Sequence, residues 1–386
     1  MHKLKATNST TRNCEIDLFK FVFSIIIVLY HARLFGDSDL GDIIVFGKGA
    51  LAVEFFFLIS GFYFIPGINN FVEKNSLQDN SVSVFTEGVR YVFSRIKSIA
   101  IIGIFSLSFS LVSYTYTYIM ENVFFNPIIY IFHISRCIWT VLFLDAGLPI
   151  QADINRATWY LSAMFIVMLI MYPLARKKRD FFVKYFSPLT IIFVLGVIIE
   201  KGRLTYTHST NVLHITSGLS RAIVGILLGC IIYEISQALT KIKFPFWTKL
   251  FFTIIAYGGI FFCLIVMNYN TKAMLPISYD PLVDFSVIPV LAIVVLILAS
   301  DLSLIKYVLP KKICGFLGKF SVIIFLMHLP CRGIIFYLME DCTYIEKTKA
   351  MLILSLAVSL ITMLIVFIIN KISAKILDIK SQKNAN

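Results

Sequence analysis

The sequence predicts an all-α, polytopic membrane protein of about ten transmembrane helices plus one re-entrant or interfacial segment. Of its 386 residues, 58% are apolar and only 15% are charged, and the mean hydropathy is +0.85. Apolar runs near the ~20 residues that a helix needs to cross a bilayer recur along the whole chain. A soluble core with a single membrane anchor would not produce that recurrence, so lipid is the solvent for most of the protein.

The apolar runs follow one another with short polar connections. A further apolar stretch, 127–148, is predicted not to cross the membrane, because crossing would place the basic cluster 176–179 on the opposite side from Arg90, Arg95 and Lys97. We therefore expect this stretch to re-enter the membrane or to lie at its surface. The ten predicted spans are 17–35, 43–65, 98–119, 158–175, 186–200, 217–238, 249–268, 284–302, 318–338 and 349–370.

The distribution of lysine and arginine predicts the orientation. With ten spans, the basic clusters all fall on one side of the membrane, which the positive-inside bias identifies as the cytoplasm. Both terminal tails, 1–16 and 371–386, are then cytoplasmic, in a multi-pass protein of the cell (inner or plasma) membrane. No linker or repeat interrupts the chain, so we expect residues 1–386 to form a single membrane-embedded domain. The basic clusters lie at 3–12, 90–97, 176–184, 241–249, 306–319 and 371–383.

The net charge and the cysteines exclude several classes of partner. A formal charge of +13 would suggest nucleic acid in a soluble protein, but here it reflects cytoplasmic lysine and arginine beside membrane lipids. We expect no nucleic-acid partner. The seven cysteines are scattered singly without a Cys-x-x-Cys pair, so the sequence indicates neither a metal site nor a disulfide framework.

Three ionisable side chains, Asp17, Lys20 and His31, interrupt the first apolar run. An unpaired charge near the bilayer centre costs ~3 kcal/mol, so these groups must face protein or water. The helical step from Lys20 to His31 closes about three turns and rises ~16 Å, and Asp17 joins the same face. This stripe suits a long anionic ligand with its phosphates near Lys20 and its reactive end near His31. Alternatively, Lys20 reaches lipid phosphates and His31 bonds a neighbouring helix.

The second apolar run carries a carboxylate on a seam of small residues. Gly47, Glu54 and Gly61 recur at heptad intervals, which would let another helix backbone approach that face. A buried Glu54 needs a partner, for which Lys48, Lys20 and His31 are candidates. It could orient a catalytic imidazole, or serve only as a structural partner.

Five segments in order along the chain resemble the acyltransferase-3 family of membrane acyltransferases. The first, Ile16-Asp17-Leu-Phe-Lys20 followed by His31, is the most specific and resembles the family's Asp-x-x-Arg/Lys-x10-His signature. Any single match is weak in an apolar helix, but the ordered set spans nearly the whole chain. The other four are Val53-Glu54-Phe-Phe-Phe-Leu-Ile-Ser60-Gly61-Phe62, Thr158-Trp159-Tyr160-Leu161-Ser162, Arg221-Ala-Ile-Val-Gly225-Ile-Leu-Leu-Gly229 and Ser321-Val-Ile-Ile-Phe-Leu-Met-His328.

The resemblance implies an O-acyltransferase that moves an acetyl or other short acyl group from acyl-coenzyme A (acyl-CoA, foremost acetyl-CoA) to an extracytoplasmic or lipid-linked glycan. No metal is implied. His31 would be the general base or would carry the acyl group itself, and these alternatives stay open. Glu54 or Asp17 would fix the tautomer of the His31 imidazole. The remaining assignments are donor binding by Lys20, Arg90, Arg95 and Lys97, and acceptor or oxyanion binding by Trp159, Arg221 and His328.

Each assignment has a structural alternative. The basic residues after the second span could form a solvated loop, Arg221 could anchor the interface, and His328 could be a packed histidine. The chain also departs from the family pattern, since Lys20 replaces the more frequent arginine and Phe325 stands where tyrosine is common. His133, His208 and His214 fall in predicted outer segments, where a solvated role is expected.

Two other functions compete with the enzyme. A transporter or flippase for a glycolipid precursor would also place ionisable residues in a helical bundle, and a glycan polymerase would carry large reactive outer loops. The acyltransferase is favoured because the unusual residues cluster on the first two spans beside a cationic cytoplasmic mouth. Matched inverted halves, typical of transporters, are not apparent.

Overall fold

A computed structural model describes residues 13–36, 44–75, 83–121, 126–146, 154–200, 204, 215–268 and 282–385. Within these ranges, ten helices are long and apolar enough to cross a membrane, as predicted. They are α1 (Cys14–Phe35), α2 (Gly49–Asn75), α3 (Val84–Glu121), α4 (Arg156–Lys177), α5 (Arg179–Glu200), α6 (Ser217–Leu239), α7 (Phe246–Asn268), α8 (Leu282–Ala299), α9 (Lys311–Leu338) and α10 (Tyr344–Ile376).

The centre of the bundle is built from α1, α2, α6 and α9. The most extensive contacts join α1 to α9 and α2 to α6, with α10 and α3 against α9. Helices α5, α7 and α10 instead expose large apolar side chains, among them Phe193, Phe261 and Phe367, each more than half exposed. Such a surface is stable in contact with lipid tails, and the chain is therefore a multi-pass membrane protein.

Glycine lets α2 and α6 cross at backbone distance, as the small-residue seams predict. A Cβ atom on Gly61 would lie 2.0 Å from the Ile226 carbonyl oxygen, and one on Gly225 would lie 2.4 Å from Cβ of Phe57. Gly229 is equally tight against the Leu58 carbonyl oxygen. The crossing fixes the register of the two helices and so decides which polar side chains meet.

The described part of the apolar stretch, 127–146, contains two short helices, Pro127–Ser135 and Cys137–Val141, neither of which can span a bilayer. The chain then returns to the bundle, where Asp145 accepts hydrogen bonds from the hydroxyls of Thr158 and Thr140. Burial raises the pKa of the Asp145 carboxyl, and these two hydrogen bonds oppose the shift in part. The prediction that this stretch does not cross the membrane agrees with the ten spans found.

Several predicted boundaries are wrong: α2 extends to Asn75 rather than 65, α5 begins at Arg179 rather than 186, and α9 begins at Lys311 rather than 318. Helix α3 begins at Val84 rather than near 98, because the basic segment before the apolar run continues the helix instead of forming a loop. Gly47 lies in a turn before α2, whose regular helix starts at Ala52 after a 3-10 turn, so the expected heptad face holds only for Glu54 and Gly61.

Candidate active site

Three cavities lie in series around α1 and α9. The lysine cavity is about 270 Å³ and takes in Lys20 and Arg95. The histidine cavity is about 170 Å³ and takes in His31 and His328, and the arginine cavity is about 380 Å³ and takes in Arg156 and Arg332. The lysine and histidine cavities share Phe325, whereas the histidine and arginine cavities share Arg156 and Leu329. The histidine cavity therefore lies between the other two.

At the lysine cavity, Lys20 bonds Asp17 on its own helix. The Lys20 Nζ atom lies 3.3 Å from Asp17 Oδ1 and 5.3 Å from the centre of the Tyr63 ring. Asp17 packs against Gly318 of α9, where an added Cβ would come within 2.3 Å of Oδ1. About 21 Å of helix separates Asp17 from His31. Asp17 is therefore placed to position Lys20, and its expected role beside the imidazole does not fit this geometry.

Of the predicted donor-binding cations, Lys20 and Arg95 are brought together. Arg95 lines the lysine cavity, with its guanidinium 4.9 Å from the centre of the Tyr91 ring. Arg90 and Lys97 lie on the same helix but are exposed and line none of the three cavities. Because α3 is helical here, residues two and five positions from Arg95 point away from it.

His31 and His328 face each other across the helix interface. Their ring centres are 5.0 Å apart, so α9 supplies the second imidazole of the histidine cavity. His328 Nδ1 lies 2.7 Å from the Phe325 carbonyl oxygen. A carbonyl can only accept, so Nδ1 carries the proton, and in the neutral ring Nε2 holds a lone pair. His328 Nε2 is buried and has no hydrogen-bond partner among the described residues.

Glu54 pairs with Arg221 instead of His31, Lys20 or Lys48. Arg221 Nε lies 2.6 Å from Glu54 Oε1, both side chains are 1% exposed, and the guanidinium also donates to the Ala50 carbonyl oxygen at 3.0 Å. Lys48 instead bonds Asp284 at 3.1 Å. Arg221 lies 5.4 Å from the centre of the Trp159 ring, and both residues line the histidine cavity.

An aromatic group separates the lysine cavity from the histidine cavity. The Phe325 ring lies 5.4 Å from that of Tyr160 and 6.1 Å from that of Phe56. Tyr160 is held in place by Ser60, whose hydroxyl lies 2.7 Å from the phenol oxygen, and by donation to the Phe56 carbonyl at 3.1 Å. The Phe325 position therefore lacks its own phenol, but a phenol from α4 lies beside it.

Sequence reasoning missed Arg156 and Arg332. Arg332 follows His328 by one helical turn, a spacing that predicts a shared face. Arg156 precedes the Trp159 segment by less than a turn, so both were detectable as neighbours of recognised motifs. His133 lies on the first short helix with its ring centre 6.4 Å from that of Tyr114, and it lines none of the three cavities. His208 and His214 fall outside the described residues.

The comparisons with known proteins agree with this architecture. No curated protein and no solved structure matches the chain. A family model described as an acyltransferase domain matches residues 13–371, which is nearly the whole chain. The chain therefore belongs to the acyltransferase-3 family and is a membrane acyltransferase.

Proposed function

We propose that the protein transfers an acetyl or other short acyl group from acyl-CoA to a hydroxyl of an extracytoplasmic or lipid-linked glycan. The observation that carries the proposal is the place of His31, in a small cavity between two larger ones. A donor and an acceptor can reach one imidazole from opposite sides of the bundle in this arrangement.

The donor would enter at the lysine cavity. Lys20 and Arg95 supply positive charge for its phosphates, and the mainly apolar and aromatic walls suit the uncharged arm that carries the thioester. The terminal tails and the lysine cavity would then lie on the cytoplasmic side, in keeping with the positive-inside bias. Arg90 and Lys97 would contribute only to the positive electrostatic potential of the protein surface.

The size of the histidine cavity favours a short acyl group. A dry cavity of about 150 Å³ accommodates benzene, so a cavity of similar size holds an acyl group of a few carbons but not a long hydrocarbon chain. Phe325 lies where the arm would pass from one cavity to the next, and its ring with that of Tyr160 would limit water access to the thioester.

The chemistry would proceed at His31 by one of two routes. As a general base, His31 takes the proton of the acceptor hydroxyl while the hydroxyl oxygen attacks the thioester carbon. The carbon–sulfur bond then breaks, and the thiolate leaves and is protonated. As a nucleophile, a nitrogen of His31 attacks the thioester carbon, the carbon–sulfur bond breaks, and the thiolate leaves and takes the proton of the other ring nitrogen. The acceptor hydroxyl then attacks the acyl-imidazole, the carbon–nitrogen bond breaks, and the hydroxyl proton passes to the imidazole. His328 Nε2 can accept a hydrogen bond from the acceptor, and Arg221 with Trp159 would support the carbonyl side.

The test is acyl transfer from radiolabelled acetyl-CoA to deacylated cell-surface glycan by the purified protein in nanodiscs. We expect His31→Gln to lower the rate about 10²–10⁴-fold while acetyl-CoA binding, measured by isothermal titration, persists. His133→Gln is the matched control, since this histidine lines none of the three cavities, and its rate should lie far closer to that of the wild type than the rate of His31→Gln. Unchanged turnover in His31→Gln would eliminate the mechanism, and glycan export without any acylation would indicate a transporter.

A further inference from the structure

The arginine cavity lies on the far side of His31 from the lysine cavity and has a distinct chemistry. Arg156 and Arg332 line it together with Tyr114, Tyr337 and Glu121. Arg156 also lines the histidine cavity, which holds His31. The cavity is therefore a polar chamber that opens onto the reacting histidine.

Neither arginine is neutralised within the described part of the chain. No carboxylate among the described residues forms an ion pair with Arg156 or Arg332, whereas Arg221 pairs with Glu54 in the neighbouring cavity. The carboxylate that lines the arginine cavity, Glu121, accepts a hydrogen bond from the Tyr337 hydroxyl. Arg156 is exposed and Arg332 is partly buried, so an anionic group that enters the cavity can reach both guanidinium groups.

A second observation connects this charge to the reaction. Arg332 lies one turn beyond His328 on α9. The buried Nε2 of His328 has no partner in the part of the chain that the structure describes. Arg156 lines both the arginine and the histidine cavities. A ligand bound by these arginines would therefore have its neighbouring atoms at the unpaired imidazole nitrogen.

We infer that the arginine cavity binds an anionic group of the acceptor, a carboxylate or a phosphate, and presents the adjacent hydroxyl to His31. The guanidinium fork pairs with two oxygens of such a group and fixes its orientation. The anion would belong either to an acidic sugar of the glycan or to the phosphate of a lipid-linked precursor. This inference rests on the proposed function for the identity of the ligand as acceptor.

The experiment compares acceptors that share a sugar ring and differ in charge. Acyl transfer by the purified protein in nanodiscs is measured with glucose, glucuronic acid, glucose 1-phosphate and decaprenyl-phosphoryl glucose embedded in the disc. We expect at least one anionic probe to have a KM about tenfold or more below that of glucose. Preference for glucuronic acid assigns the anion to the glycan, and preference for the decaprenyl probe over glucose 1-phosphate assigns it to the lipid.

Variants of the two arginines connect that preference to the cavity. Arg156→Gln and Arg332→Gln should each raise the KM of the favoured probe about tenfold or more, with the KM of glucose and of acetyl-CoA unchanged. Arg332→Lys keeps the charge without the fork and should lie between wild type and Arg332→Gln. Lys349→Gln is the matched control, since this exposed cation lies on the first turns of α10 and lines none of the three cavities.

Two outcomes overturn the inference: an equal KM for glucose and all anionic probes, or an unchanged preference in both glutamine variants with wild-type thermal stability. Binding measured without donor, as a thermal shift, separates this failure from that of the proposed function. If no probe is acylated but an anionic probe stabilises wild type and not the glutamine variants, the anion-binding site is supported and the proposed acyl transfer is rejected. Equal acylation of neutral and anionic probes supports the enzyme and excludes the anion site.

Discussion

Two ion pairs in the bundle have similar chemistry and different surroundings. Glu54 and Arg221 are both 1% exposed at the α2–α6 crossing, whereas the Lys20 side chain of the Asp17–Lys20 pair remains 20% exposed at the wall of the lysine cavity. The first pair neutralises itself inside protein and joins two helices. The second pair holds a cation where a ligand can reach it. The buried pair therefore stabilises the fold, whereas the partly exposed, half-open pair belongs to a binding surface.

Breaking the buried pair should have the largest effect on stability. Arg221→Met leaves the Glu54 carboxylate buried without a partner, and we expect the free energy of unfolding to fall by about 3–5 kcal/mol. The measurement is thermal denaturation of the purified protein in detergent.

A double variant sharpens this comparison. Glu54→Gln with Arg221→Met removes both charges and should recover most of the lost stability, because no uncompensated ion remains. If the double variant also retains acyl transfer, Glu54 serves the scaffold rather than the imidazole, and Arg221 does not support the carbonyl group. An unfolding midpoint of Arg221→Met equal to that of wild type would contradict the structural role of the pair.

Breaking the half-open pair should affect donor binding and leave stability nearly unchanged. Lys20→Gln removes a charge-assisted contact to phosphate, and we expect the KM for acetyl-CoA to rise about tenfold to a hundredfold. Arg95→Gln should act in the same direction. Arg90→Gln and Lys97→Gln are matched controls on the helix that carries Arg95 and should leave this KM unaltered. If the KM in these controls rose as much as in Lys20→Gln, the positive potential of the surface, and not a specific site, would account for donor binding.

The smallest effect on donor binding is expected from moving Asp17 without changing any charge. Gly318→Ala places a Cβ 2.3 Å from Asp17 Oδ1, so the carboxylate must shift and loosen its hold on Lys20. We expect a stability loss of about 1–3 kcal/mol and a rise in the acetyl-CoA KM that is smaller than that of Lys20→Gln. Gly196→Ala is the control, since an added Cβ there meets nothing within 4 Å. Identical KM values for the two alanine variants would show that Asp17 does not position Lys20.

The sequence by itself predicted ten spans, and predicted that the stretch 127–148 is not one of them, because hydropathy and charge act over a whole helix and need no partner. It also identified His31, Lys20 and the glycine seam of Gly61, Gly225 and Gly229, since each breaks the apolar pattern of its own segment. Helical periodicity was enough to place Lys20 and His31 on one stripe.

Only the tertiary structure decided which of these residues meet. Glu54 and Arg221 are 167 residues apart in sequence and pair because the glycine crossing sets the register of α2 against α6. His31 meets His328 because α1 packs along α9, a contact that neither segment's pattern specifies. Pairing across helices depends on crossing points and rotations that are fixed by packing of the whole bundle, and a pattern along one helix contains no information about the side chain that faces it.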